Sequence, residues 1–425
     1  MPLTFSLRPV QDQDLAQVVA LDRLSFAPLS SDTEIEQQWF KAGLNLPDRH
    51  FFLAVETTTG EGVGCYGQLA LELWLAGQNL PMMGIAAVAV APHRRGQRVA
   101  GLMLDHAVRM AQEQRLPLIM LYPFQHGFYR KLGWAWVGQT QQYRVATTHL
   151  PTYPERSQIR PYQPEQHGSE VPRVYQLAAQ QHQGWLQRRD WQWQSRLKPT
   201  GQEIYVYLEE GNLLGYVIFR FALLDPPQNS LAAIVQEWVA LTPAAYRGIL
   251  GFLGSLRDQV TTIVWNTYPE DPFPHLLKEQ RRSPVLRQEP FEFGLTHRFG
   301  EIGGGFMWRL VDLERAISGR PIQPVPPFLL TFEIQDPILG ASQITVSFAD
   351  RQMRLVAEPA SLTVKVSIEQ LTLLFAGVRR SMELLWLGEI AVQAHAPTAE
   401  TDIPLLLTRL DTAWTLAAPF CWDFF

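Results

Sequence analysis

The stretch from Gly84 to Trp134 constrains this chain most. It reads as an apolar strand, a basic turn containing glycine, an amphipathic helix and a second apolar strand in immediate succession. The first strand covers residues 85–90, and Pro92 ends it, because proline offers no N–H to a sheet ladder. Arg94, Arg95, Gly96 and Arg98 fill the turn. Val99, Leu102, Met103, Ala107 and Met110 then recur at helical spacing, which predicts a helix of about four turns with one buried stripe. The first N–H groups of such a helix have no partner inside it, so beside the arginines they form an anion site suited to a pyrophosphate. A solvated basic turn capping a helix fits the same residues.

At 425 residues the chain has room for two to four domains, each with its own core. Charged residues are 18% against 46% hydrophobic, with 13 Trp and 22 Phe, which is a globular balance and not a disordered one. A net charge of −5 argues against nucleic acid as the main partner. Cys65 and Cys421 are the only cysteines, so no disulfide framework or cysteine-rich zinc site is expected and a reducing cytosol is the default. The opening residues lack a basic segment followed by an apolar one, so no signal peptide is expected. The longest uncharged run, residues 73–92, is interrupted by Gly77, Gln78, Asn79 and Pro81, so no membrane span is expected. The ten histidines form no spaced metal set, and neither a P-loop nor a nucleophile elbow occurs. The expectation is a soluble cytoplasmic protein without a metal.

Before the organising stretch, a strand is expected at residues 3–8 and a helix at 12–22, with Leu15, Val18, Val19, Leu21 and Asp22 along its buried edge and end. An amphipathic stretch follows at 32–42, carrying Ile35, Trp39 and Phe40 on one face. Residues 51–56 and 64–75 form a hairpin. A weak internal repeat comes later. Residues 205–215 read as a second hairpin, and Gly215 precedes Pro243 by the same interval that separates Gly64 from Pro92. The second copy keeps one turn arginine, Arg247, where the first has three. Residues 149–166 hold Pro151, Pro154, Pro161 and Pro164, which suits an interdomain connection. After Gly303, Gly304 and Gly305 come strands at 306–311, 328–334, 342–348 and 362–366, a helix at 367–376, and an aromatic chain end.

Arg95-Gly96-Gln97-Arg98-Val99-Ala100 resembles the strand-to-helix turn of the usual N-acetyltransferase (GNAT) fold, Arg/Gln, two residues, Gly, one residue, Gly/Ala. Arg98 stands where that signature has its glycine, and its Cβ threatens to hold the backbone away from a pyrophosphate. Tyr129-Arg130-Lys131-Leu132-Gly133-Trp134 resembles the Tyr-x-x-x-Gly-Phe element that follows the second strand in these enzymes. A phenol with an ordinary pKa of about 10 can protonate a departing thiolate; a tyrosine packed in the core is the alternative. Between Glu72 and Asp105 there is no acid, so the organising stretch supplies no carboxylate base.

Across nearly its whole length the chain is similar to the Eis-type (enhanced intracellular survival) N-acetyltransferases. The likeness rests on residues 87–96 (AVAVAPHRRG), 128–133 (FYRKLG), 239–243 (VALTP), 308–313 (WRLVDL) and the aromatic terminus. It implies an α/β (α+β) architecture of two tandem GNAT-type acetyltransferase domains, an active one at 1–150 and a degenerate one at 151–305. A sterol carrier protein-like α+β domain follows at 306–425. It further implies that acetyl-CoA contacts Val88, Ala89 and Val90, and that its pyrophosphate rests on Arg95, Gly96, Gln97, Arg98, Val99, Ala100 and Gly101. Phe124 and Gln125 would add cofactor contacts, Tyr129 would be the general acid, and the α-carboxylate of Phe425 would be the base. Phe420, Trp422, Phe424 and Phe425 are expected to bury that end. The resemblance also implies a small amine acceptor of polyamine or aminoglycoside type and a homohexamer. The rival expectation from another class is a non-catalytic lipid or small-molecule carrier using the C-terminal domain.

Overall fold

The computed structural model describes residues 5–26, 39–198, 200–223, 231–279, 300–395 and 402–425. Most of the stretch expected at 32–42, with Asp32 and Ile35, lies outside the described residues, as do residues 3–4 of the opening strand. The chain divides into two compact units, one of residues 1–137, 306–416 and 423–425, the other of 138–305 and 417–422.

In chain order the first unit begins with β1 (Phe5–Pro9), α1 (Leu15–Phe26), β2 (Arg49–Glu56), β3 (Gly62–Leu75) and β4 (Gln78–Val90). It continues through α2 (Val99–Glu113), β5 (Leu118–Leu121), α3 (His126–Arg130) and β6 (Ala135–Trp136). The second unit holds β7 (Thr140–Ala146), β8 (Ile159–Pro161), β9 (Glu203–Glu209), β10 (Asn212–Leu223), β11 (Leu231–Ala240), α4 (Pro243–Ser255), β12 (Val260–Thr267) and β13 (Gly300–Gly303). Back in the first unit come β14 (Met307–Leu310), β15 (Phe328–Gln335), β16 (Ser342–Ala349), β17 (Gln352–Val356) and β18 (Leu362–Ser367). They are followed by α5 (Ile368–Phe375), β19 (Ala391–Ala394) and α6 (Ile403–Ala413).

The described residues form three sheets. The first has the order β1-β2-β3-β4-β5-β14-β6, the second β13-β7-β12-β11-β10-β9-β8, and the third β17-β16-β15-β18-β19. The first two share a plan, an antiparallel series whose last long strand pairs in parallel with the strand after a crossover helix: β4 with β5, and β11 with β12. That is the duplication expected from the repeat. β14 is a finding of its own, because it lies antiparallel between β5 and β6 and completes the first sheet from far along the chain.

Alternation along β3 and β4 sends successive side chains to opposite faces. On one face Tyr66, Met83 and Ile85, with Ile119 and Leu121 of β5, pack under Val99, Met103 and Ala107 of α2. On the other, Phe51, Leu53, Cys65 and Ala89 meet Leu15, Val18 and Val19 of α1. Each large side chain fully buried there contributes about 1.5–3 kcal/mol. In the third sheet Leu330, Phe332, Val346 and Phe348 point inward, and Trp414 stacks on Phe332 at 5.7 Å. Ser367 caps α5 by accepting from Gln370 N–H at 3.2 Å, which fixes where the expected helix starts.

Candidate active site

The site begins with an irregularity in β4. Cys65 pairs with Ala89 and Gly67 with Ala86, so Ala87 and Val88 together oppose the single residue Tyr66. Ala87 takes φ +50°, a left-handed conformation that costs a non-glycine residue about 1–2 kcal/mol. Beyond the bulge the sheet opens. β5 pairs with β4 only from Met82 to Ile85, and among the described residues no strand pairs with Ala86–Val90 on that side. Peptide groups of Val88, Ala89 and Val90 are thereby left for an extended amide-containing ligand. Val88 and Val90 turn toward the α2 face, and Ala87 and Ala89 toward the α1 face.

The turn that follows separates its arginines. Arg94 is held by Glu56 at 3.0 Å and by Glu61 at 3.1 Å, so it braces the β2–β3 hairpin. Arg95 and Arg98 are exposed and face outward with Gln97. Gly96 has φ +81° and Arg98 φ +65°, so arginine keeps here the backbone conformation that a glycine would adopt. Arg98 is the N-cap of α2 and makes no side-chain cap bond. Leu102 N–H is the first to return into the helix, to Arg98 O at 3.0 Å, which leaves the N–H groups of Val99, Ala100 and Gly101 outside the helical ladder. The corresponding helix of the second unit, α4, is closed: the Thr242 hydroxyl accepts from Ala245 N–H at 3.1 Å. An open helix end beside two exposed guanidiniums suits a pyrophosphate, and a capped one does not. Arg98→Gly should hold or raise stability in thermal unfolding, by up to about 1 kcal/mol from relieved strain. The same change should raise KM for acetyl-CoA several-fold through loss of the cation.

Tyr129 lies in α3, nearly fully buried, with edge contacts to Phe124 at 5.4 Å and Trp134 at 6.3 Å. Burial pushes its hydroxyl well above the ordinary tyrosine value, so it stays protonated at any working pH. Phe124 is exposed and stacks on Phe128 at 5.9 Å, and Gln125 beside it is also exposed. The turn after Tyr129 is fixed from beneath by Arg309 of β14, whose Nε donates to Leu132 O at 3.0 Å. Its other nitrogens reach Leu310 O at 3.0 Å and Asp336 at 2.5 Å. Gly133 has φ +85°, and a Cβ there would stand 2.5 Å from Ile368 Cγ2, so only glycine fits between the turn and α5.

The chain end is partly as expected. The Phe425 ring lies 5.7 Å from that of Tyr122 and against Gly84, where a Cβ would meet its Cε2 at 2.7 Å. Tyr122 donates its hydroxyl proton to Asp423 O at 2.6 Å. Phe424, expected to help bury the terminus, is instead 76% exposed, with its ring 4.7 Å from that of Tyr122. Phe420 and Trp422 are buried within the second unit. Gly84, Leu71 and Tyr122 lie on the face of the sheet opposite α2, which places the Phe425 ring on that face too.

One acid escaped notice as a functional residue. Asp22 continues the Leu15 and Val18 stripe of α1 at helical spacing, so an acid stands where an apolar residue is due. It is 9% exposed, lies on the face of α1 that packs over Cys65 of β3, and burial pushes its carboxyl up to about 6.

Residues 6–137 match the Acetyltransferase (GNAT) domain family, residues 184–310 match a further Acetyltransferase (GNAT) domain family, and residues 313–422 match the Sterol carrier protein domain family. N-acetyltransferase Eis of Mycobacterium tuberculosis (strain ATCC 25177 / H37Ra) is 24% identical over 374 residues, which is 84% of either chain. An uncharacterized N-acetyltransferase of Streptomyces griseus is 22% identical over 365 residues, 80% of this chain and 83% of its own. Among solved structures, a GCN5-related N-acetyltransferase from Anabaena variabilis superposes with a TM-score of 0.81 at 21% identity, over 99% of this chain and 100% of the other. Eis1 from Mycobacterium abscessus does so with a TM-score of 0.74 at 19% identity, over 99% and 100%.

Proposed function

We propose, from the premise that this chain is an Eis-like N-acetyltransferase with two GNAT domains and a C-terminal sterol carrier protein domain, that its first unit acetylates a primary amine of a small polyamine- or aminoglycoside-like molecule. Acetyl-CoA is the donor substrate. The observation that carries this reading is the pairing of an opened β4 edge with an uncapped helix end in the first copy, against a capped end in the second.

In this reading the backbone of Val88, Ala89 and Val90 holds the pantetheine arm and orients the acetyl carbonyl. Gly96, Gln97, Val99, Ala100 and Gly101 receive the pyrophosphate, Arg95 and Arg98 neutralise it, and Phe124 and Gln125 border the arm. The amine nitrogen attacks the thioester carbon, a C–N bond forms, and the C–S bond breaks. The Phe425 carboxylate takes a proton from the amine, and the Tyr129 hydroxyl gives one to the departing thiolate. Burial keeps the Tyr129 hydroxyl protonated and also makes it a weaker acid, so it gives up its proton only as charge develops on the departing sulfur. The functional modules are taken as 1–150, 151–305 and 306–425, and a cytoplasmic homohexamer belongs to the same proposal, checked by the mass of the assembly in solution. Among the described residues no helix is long and apolar enough to cross a membrane.

The test is a panel of amines with acetyl-CoA, read by product mass and CoA release. Wild type should add one acetyl group to at least one polyamine or aminoglycoside, and Tyr129→Phe should lower kcat by about a hundredfold with little change in acetyl-CoA binding. Undiminished turnover in Tyr129→Phe would remove it as the acid. An absence of CoA binding together with tight lipid binding would favour the carrier.

A further inference from the structure

Five carboxylates are buried among the described residues: Asp14, Asp22, Glu56, Glu237 and Asp271. Four are satisfied. Asp14 takes two bonds from Arg8, and Glu56 is met by Arg94 and Thr59. Glu237 is held by Arg188 and Arg196 and by the Tyr216 hydroxyl at 2.5 Å, and Asp271 by Tyr246, Trp265 and Phe273 N–H. Asp22 has no hydrogen bond or ion pair among the described residues. A buried carboxylate with no cation or donor is costly, and the cost is removed if a ligand supplies the counter-charge.

Its position says which ligand. Asp22 lies one turn beyond Val18 on the face of α1 that packs over Cys65 and Ala89, and Cys65 pairs with Ala89 and donates its thiol to Ala87 O at 3.8 Å, so α1 carries the acid on the side of the sheet where β4 bulges. The Phe425 ring occupies the same face at Gly84, three residues earlier, which is about 10 Å along a strand. We propose that Asp22 is an ammonium-recognition residue of the acceptor site, which selects amines carrying a second positive charge a few carbon atoms from the nitrogen that is acetylated. This inference rests on the acetyltransferase reading of the same site. It adds to it a residue that reads the second charge of such an acceptor. With a carboxyl pushed up only to about 6, Asp22 is predominantly ionised at pH 7.5 and above.

The experiment compares 1,6-diaminohexane with 1-aminohexane at pH 8, as kcat/KM and as binding to the full-length enzyme. Wild type should prefer the diamine. In Asp22→Asn and Asp22→Leu that preference should fall by roughly ten- to a hundredfold, the range for a lost charged hydrogen bond. Asp22→Glu should retain it. Both neutral variants should melt at or above the wild-type temperature, because each removes an unpaired buried charge, and one folded variant suffices for the comparison. Equal loss on both amines, or an unchanged preference, would overturn the proposal while leaving the transferase intact. Failure of wild type to acetylate any amine would instead overturn the reading beneath it.

Discussion

Three residues added after Phe425 are expected to slow acetyl transfer at least about a hundredfold, while acetyl-CoA binding and melting temperature stay close to wild type. An added peptide turns the terminal carboxylate into an amide, which takes up no proton. The Phe425 ring can still pack on Tyr122, so the fold near Gly84 has no reason to change. Gly84→Ala approaches the same point from the sheet side. Its Cβ would sit 2.7 Å from Phe425 Cε2 and 2.8 Å from Leu71 Cδ1, so the ring must move and the terminus with it. Both variants should show the loss in single-turnover rate and not in donor affinity. An extended tail with normal turnover would take the carboxylate out of the mechanism.

Arg309→Ala is the change expected to cost most in stability, about 3–5 kcal/mol in urea unfolding, because it strips the cation from a buried pair with Asp336. Asp336 would keep the N–H groups of Ile338 and Leu339, at 2.8 and 2.9 Å, but lose the guanidinium bonded to it. The turn bearing Tyr129 would lose its clamp on Leu132 O, so kcat should fall together with stability. Arg309→Met with Asp336→Leu should recover much of the stability and less of the rate, since an apolar pair can fill the space but cannot hold the carbonyl. A single variant as stable as wild type would show that the pair contributes nothing to holding β14 in place.

What could be read from the residues divides along physical lines. The strand, turn and helix at 85–113 are local, set by apolar spacing and by Pro92, and the chain forms them where the pattern puts them. The duplicated plan was visible because glycine and proline mark the same corners twice. Pairing across the chain carries no such mark. Nothing in Met307–Leu310 distinguishes a strand opening the C-terminal sheet from one inserted between β5 and β6. The bulge at Ala87 was equally hidden, because alanine is an unremarkable residue until its φ is known. Asp22 carried the one missed signal, an acid on an apolar stripe, which reads as a helix end until its surroundings are seen. Arg94 was the opposite case, a basic residue in a basic turn whose charge is taken up by Glu56 and Glu61.

The insertion of β14 also bears on how the protein is made. Synthesis runs from the N-terminus, and β5 and β6 leave the ribosome long before their common neighbour exists. Until Met307–Leu310 emerges, facing edges of β5 and β6 stay unpaired, and the Tyr129 turn lacks the guanidinium that holds it. The whole second sheet is translated in that interval. A nascent chain would therefore complete its middle before its beginning, and the transferase half would wait, with open strand edges, for a segment that closes it late.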